Sequence, residues 1–378
     1  MQHLPGRLSS ALLAVLILMG SSVPVAAALP VAERSSAPER DACFLDLSGT
    51  GTEGGVCPSG EVPDDAAGRH LGPHEQVPPT KPSFYITVHD TEWAWRAGCD
   101  MGRQDESLPG TQQSVMVLAF GQTEPSPSGV YRLSYFHGPD QEFDVAAEMA
   151  IAMGHGYGVC TGSDETSRLW IGMGTNNFPD SAVNRRAGKT LAIAARDAAR
   201  ELGSGYQSTI WGANDFEAWG ETDPSLNDRS RAWLDGYNDV PGRPPLVNFG
   251  STDACPWDDV PEASSCSPGH TAETIVYVST QGAARALPEI YTPEGTQAAQ
   301  WALLARYAWR EGTPMRFAAV MSQHGACGQR GGCEGIDNPP ETSWLQLNQH
   351  LDRNWRTTAT PGAPTDIFWQ ENLLEDEG

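Results

Sequence analysis

The chain has 378 residues, with 24 Lys plus Arg against 48 Asp plus Glu and a formal charge of −24. That balance repels nucleic acid phosphates and anionic lipid headgroups alike, so it argues against nucleic-acid partners and favours neutral substrates over polyanions. It speaks for solubility and leaves the fold open.

At the N-terminus Arg7 precedes the apolar run "ALLAVLILMG", and "PVAAALP" supplies small residues before a cleavage point after Ala28. This pattern predicts a signal peptide over residues 1–28 and a secreted, extracellular mature chain. Its apolar core is too short for a stable anchor, and no later segment approaches the roughly 20 apolar residues that span a bilayer. Residues 29–82 are rich in Pro, Gly, Ser and charge, which predicts a disordered linker. Residues 83–358 then form the folded domain, close in size to the ~250 residues of a (β/α)8 barrel. The acidic segment 359–378 is expected to be a flexible tail.

Eight cysteines in an exported chain point to disulfides. Short loops suggest Cys43 with Cys57, Cys255 with Cys266 and Cys327 with Cys333, which leaves Cys99 with Cys160. Other connectivities stay open at this point. No pair has the C-x-x-C spacing of a zinc site, the nine histidines form no ligand motif, and no G-x-S-x-G elbow appears, so neither metal nor cofactor is expected.

Within the folded segment, eight β-rich runs recur in chain order: "SFYITV", "SVMVLAFG", "LWIGMG", "YQSTIWGAN", "PLVNFG", "ETIVYVS", "LPEIYT" and "MRFAAVMSQ". Helical patterns separate many of them, in "FDVAAEMAIAMGHGYGV", "AGKTLAIAARDAARELG", "DRSRAWLDGYND" and "GTQAAQWALLARYAWREG". Alternating strands and helices predict a parallel sheet, and eight strands predict an α/β fold of the (β/α)8 TIM-like barrel type, stapled by disulfides. In "VHDTEWAW", Asp90 and Glu92 suit the first turn of a helix, where the dipole favours negative charge.

The C-terminal ends of barrel strands are where function gathers. There the sequence places Asn176 and Asn177, Asp215 and Glu217, Trp219, Asn248, Asp253, Gln323, and, in two further runs, Tyr277 and Tyr291. In "STIWGANDFEAWG" strand alternation puts Asp215 and Glu217 on one face, and like charges that close keep one carboxyl protonated toward neutral pH. Amides and acids bond hydroxyls while aromatic faces stack on pyranose rings, so the set reads as a sugar site. Asp253, just beyond the next strand, is the candidate third carboxylate.

The stretches "WGANDFEAWG", "RAWLDGYND" and "LVNFGSTDACP", with "GCDMG", "SVMVLAFG", "GMGTNN", "ALPEIYT" and "AAVMSQHGACGQ", resemble a group of secreted actinobacterial proteins, mainly uncharacterised, with a glycoside-hydrolase-like barrel. More distantly, D-x-E closing a mid-chain strand resembles family 25 lysozymes and chitinase-like barrels. The resemblance implies Glu217 as general acid and Asp215 as its assistant. The resulting expectation is a monomeric secreted glycoside hydrolase-like protein acting on a neutral or amino-sugar glycan, such as a cell-wall polysaccharide. The alternative is a glycan-binding or wall-associated barrel without turnover.

Overall fold

The computed structural model describes residues 77–370, apart from 137, 179–181, 219–222, 253–254, 257–264, 268 and 358. The signal peptide, most of the linker, the Cys43–Cys57 pair, Trp219 and Asp253 lie outside the described residues.

Eight parallel strands run in chain order around a ring: β1 (Lys81–Tyr85), β2 (Gln113–Pro125), β3 (Arg168–Asn176), β4 (Ser208–Asp215), β5 (Leu246–Asn248), β6 (Ala284–Ala286), β7 (Val320–Ser322) and β8 (Pro364–Trp369). Each except β6 is paired with the next, and β8 returns to β1 with Tyr85 opposite Trp369. Between β6 and β7 the link is two isolated parallel bridges, Ala286 with Phe317 and Glu289 with Met321. The ring is therefore a (β/α)8 barrel. Its connections carry α1 (Thr91–Ser107), α2 (Phe143–Cys160), α3 (Arg185–Leu202), α4 (Ser225–Asn238), α5 (Ala272–Thr280) and α6 (Thr296–Arg310). The short α7 (His324–Gln329) and then α8 (Pro340–Asp352) lie between β7 and β8.

Strand alternation builds two apolar layers from one sequence run. On β2, Val115, Val117 and Ala119 pack inside the barrel, while Met116, Leu118 and Phe120 pack outward beneath the helices. Strands buried on both faces read as continuous apolar runs. Inside, β3 sets Gly172 and Gly174 opposite Trp211 and Ala213 of β4. A Cβ on Gly174 would lie 2.8 Å from Val117 Cγ1, so the missing side chain makes room in the barrel interior.

The helices start where side chains cap them. Asp90 accepts from the Trp93 amide at the head of α1, with Glu92 in the first turn, and Asn184 accepts from the Arg186 and Ala187 amides at the head of α3. Three disulfides form: Cys255–Cys266 and Cys327–Cys333, the pairs that the short loops suggested, and Cys99–Cys160, the longer pair that they left. No helix among the described residues is long and apolar enough to cross a membrane.

Three strand expectations are corrected. The run "ETIVYVS" forms α5, started by the Thr271 hydroxyl accepting from the Thr274 amide and packed between the barrel and its neighbouring helices. The run "LPEIYT" follows β6, whose own residues are Ala284–Ala286. The eighth strand is "PTDIFW", within the segment expected to be a flexible tail: it is inserted between β7 and β1, with Ile367 buried in the barrel interior.

Candidate active site

A cavity of about 480 Å³ opens at the C-terminal ends of the strands, and carboxylates form its floor. Asp215 extends the inward face of β4 beyond Trp211 and Ala213, and it is 8 % exposed. Glu217 follows two residues later and is half-buried. The third acid is Glu289, 5 % exposed, on the segment after β6 where the inward residues run Leu287, Glu289, Tyr291. Each of the three offers an oxygen within 4.8 Å of the others.

Like charges this close cannot all ionise cheaply away from water. Burial, and then Glu217, push the Asp215 carboxyl well above the usual carboxylate range. Burial, then Glu217 and Asp215, do the same to Glu289, which also shares a side-chain hydrogen bond with Glu217. A hydrogen bond between two carboxyl groups needs a proton on one of them. The Tyr291 hydroxyl donates to Glu289 Oε1 at 2.6 Å. Burial, Glu289 and Asp215 push the Tyr85 hydroxyl above its ordinary value, so it stays protonated, and it is hydrogen-bonded with Tyr291. Asp215 Oδ1 is buried without a hydrogen-bond partner. The three acids form the one group among the described residues with the spacing of a cation site, and a cation there would compete with the shared proton.

One wall is aromatic. Tyr85, Phe136 and Trp369 lie with ring centroids 4.6–5.8 Å apart, and the Arg330 guanidinium sits 3.5 Å from the Trp369 ring centroid. Gln329 clamps the Trp369 backbone, accepting from its amide at 2.6 Å and donating to its carbonyl at 3.0 Å. The disulfide Cys327–Cys333 and Ile336 also line the cavity.

Of the residues singled out in the sequence, Asn176, Asp215, Glu217, Tyr291 and Gln323 line this cavity. Asn177 stands behind it: its amide donates to the Glu217 carbonyl at 2.7 Å and accepts from the Glu217 amide at 2.9 Å, which fixes the acid's backbone. Two others are elsewhere. Asn248 points outward, because Val247 and Phe249 take the inward positions of β5, and it donates to Ser279 Oγ of α5 at 2.9 Å. Tyr277 lies on α5, where its hydroxyl donates to Asp235 at 2.7 Å and Arg231 stacks on its ring. Glu289, Tyr85, Phe136, Trp369 and Arg330 were not singled out. Glu289 stood in the quoted run "ALPEIYT", where its alternation with Leu287 and Tyr291 was the available signal.

No family model matches the chain, and no curated protein matches it in sequence. Among solved structures, a GH18 chitinase from Pseudoalteromonas aurantia aligns over 78% of this chain and 95% of its own, at 12% identity and a TM-score of 0.38. The barrel rests on the strand pairings described above.

Proposed function

We propose that the chain is an exported glycoside hydrolase that cleaves a neutral or amino-sugar glycan at the barrel mouth. The observation that carries this reading is the group of three acids, Asp215, Glu217 and Glu289, facing one cavity beside an aromatic wall. A pyranose ring stacks on Trp369 or Tyr85 through its apolar face, while Asn176 and Gln323 reach its hydroxyls. Glu217, the least buried of the acids, donates a proton to the leaving glycosidic oxygen. Glu289 supplies that proton's hydrogen-bonded partner, and Asp215 faces the positive charge developing on the sugar. The proton that Glu217 gives up leaves negative charge beside an oxocarbenium-like carbon, which stabilises that carbon as the bond breaks. The Asp215 carboxylate or a substrate acetamido group then holds the sugar carbon until water, deprotonated by Glu217, replaces it.

The spacing bears on stereochemistry. Retaining enzymes hold their two carboxyl groups about 5–5.5 Å apart and inverting enzymes about 6.5–9.5 Å, so this closely grouped set favours retention.

The test is reducing-sugar release from peptidoglycan, chitin, mannan and arabinan. Wild type is expected to act on one of them, and Glu217→Gln to lower turnover by roughly 10²- to 10⁴-fold with substrate binding nearly unchanged. Glu289→Gln should also lower turnover, and the released anomer, read by NMR, should keep its configuration. Full activity in Glu217→Gln removes the catalytic assignment. Saturable glycan binding without release by wild type favours the binding barrel.

A further inference from the structure

The end of the barrel opposite the mouth holds a second cavity, of about 510 Å³, at the N-terminal ends of β5, β6 and β7. Its lining reverses the character of the chain. Acids outnumber bases two to one overall, 48 against 24, yet this cavity is lined by Arg243, Arg285 and Arg316 and by no acid. None of the three arginines forms an ion pair among the described residues.

Arg285 is the informative one. Ala286 packs outward beneath the helices, so alternation turns Arg285 inward, where its guanidinium lies 5.7 Å from the Trp211 ring centroid. Its Nε is buried without a hydrogen-bond partner. Burial and the neighbouring Arg316 both disfavour its charge, and no counter-charge offsets them within the cavity. Arg243 donates its Nε to Asn238 Oδ1 at 3.0 Å, which holds its stem at the rim. Arginines that serve only solubility point into water and keep apart. Here one is turned into the barrel floor and another is close enough to repel it.

We propose that this cavity binds a tetrahedral oxyanion, a phosphate or sulfate, free or as the terminal ester of a larger molecule. Guanidinium groups donate paired N–H bonds that match such an anion, and a convergent set neutralises its double charge. The volume leaves room for an ester substituent. The site is separate from the carboxylate cluster and independent of the reaction proposed there.

Calorimetric titration of the full chain at low salt with sodium phosphate, sodium sulfate and glycerol phosphate tests it, with sodium chloride as the control. Saturable binding of phosphate or sulfate is expected, weakened at least 10-fold by Arg285→Gln and by Arg316→Gln. Because Arg316 is exposed, its replacement leaves the fold intact and gives the result alone if Arg285→Gln fails to fold. A phosphate-dependent rise in melting temperature should appear in wild type and shrink in Arg316→Gln. Binding of inorganic anions but not glycerol phosphate identifies a free anion as the ligand; binding of both identifies an ester-competent site. Absence of saturable binding by wild type, or unchanged affinity in Arg316→Gln, overturns the proposal.

Discussion

Asp215 is buried with one oxygen unpartnered, a position that costs stability whenever the group is charged. Its folded-state pKa lies above the unfolded one, so the native state binds the proton more tightly, and its contribution to stability falls as pH rises through that window. Glu289 acts in the same direction. Asp215→Asn is therefore expected to be more stable than wild type at alkaline pH, by about 0.5–2 kcal/mol, while losing activity. Thermal melts across the pH range check this, and parallel curves for the two proteins would remove the cost assigned to the buried charge. Asn177 makes the opposite case. It bridges the Glu217 amide and carbonyl, so Asn177→Ala should lower kcat by about 10- to 100-fold through a displaced acid, with KM much less affected. Asn248→Ala should instead cost about 1–3 kcal/mol of stability, since Ser279 and the Gly250 amide lose their partner, and should leave glycan binding unchanged. The sequence held the reason for this difference: Val247 and Phe249 are apolar, so the residue between them faces away from the barrel interior.

Helices α1 and α2 touch backbone to backbone because glycines line their crossing. A Cβ on Gly98 would lie 2.0 Å from the Met153 carbonyl oxygen, and one on Gly156 would lie 1.9 Å from the Trp95 carbonyl oxygen, while Cys99–Cys160 pins the same pair. Neither oxygen belongs to a side chain that rotates away, so Gly156→Ala should cost about 1–3 kcal/mol or more, measured by denaturant unfolding. An exposed helix position would gain from the same change. The helices with the clearest spacing, α2, α3, α4 and α6, were legible in the sequence. Helix α5 was not, because "ETIVYVS" is rich in branched residues that favour strands, and tertiary packing between barrel and helices decides its state. Strand β6 was equally hidden. Its three residues "ARA" carry no strand signal, and its register is set by pairing with β5 and by the bridges to the segment before β7.

The ring as a whole assembles what no local pattern reveals. Asp215 and Glu217 were legible because they lie one residue apart at the end of a strong strand, whereas Tyr85 and Trp369 come from β1 and β8 and Glu289 from the segment after β6, and they meet the pair only once the barrel closes. Tyr85 and Trp369 are 284 positions apart in the chain yet are register partners on β1 and β8. The segment carrying Trp369 read as a loose tail because "TPGAPT" precedes it and acids follow. In the structure, Thr365 and Asp366 of β8 also bond Ser83 and Ser322, both at 2.6 Å, tying the strand to its neighbours on both sides. These two roles for the segment differ by a measurable energy. A residue in a loose tail changes stability by less than about 0.5 kcal/mol when truncated, whereas a fully buried isoleucine costs about 2–5 kcal/mol. Ile367 is 0 % exposed inside the barrel. Ile367→Ala should therefore lower the denaturation midpoint by the larger amount without changing the slope of the transition. Trp369→Ala should weaken glycan binding as well, because it removes the wall on which we propose the ring stacks. A wild-type midpoint in Ile367→Ala would mean that β8 does not close the barrel, and the aromatic wall would then have no fixed place beside the acids.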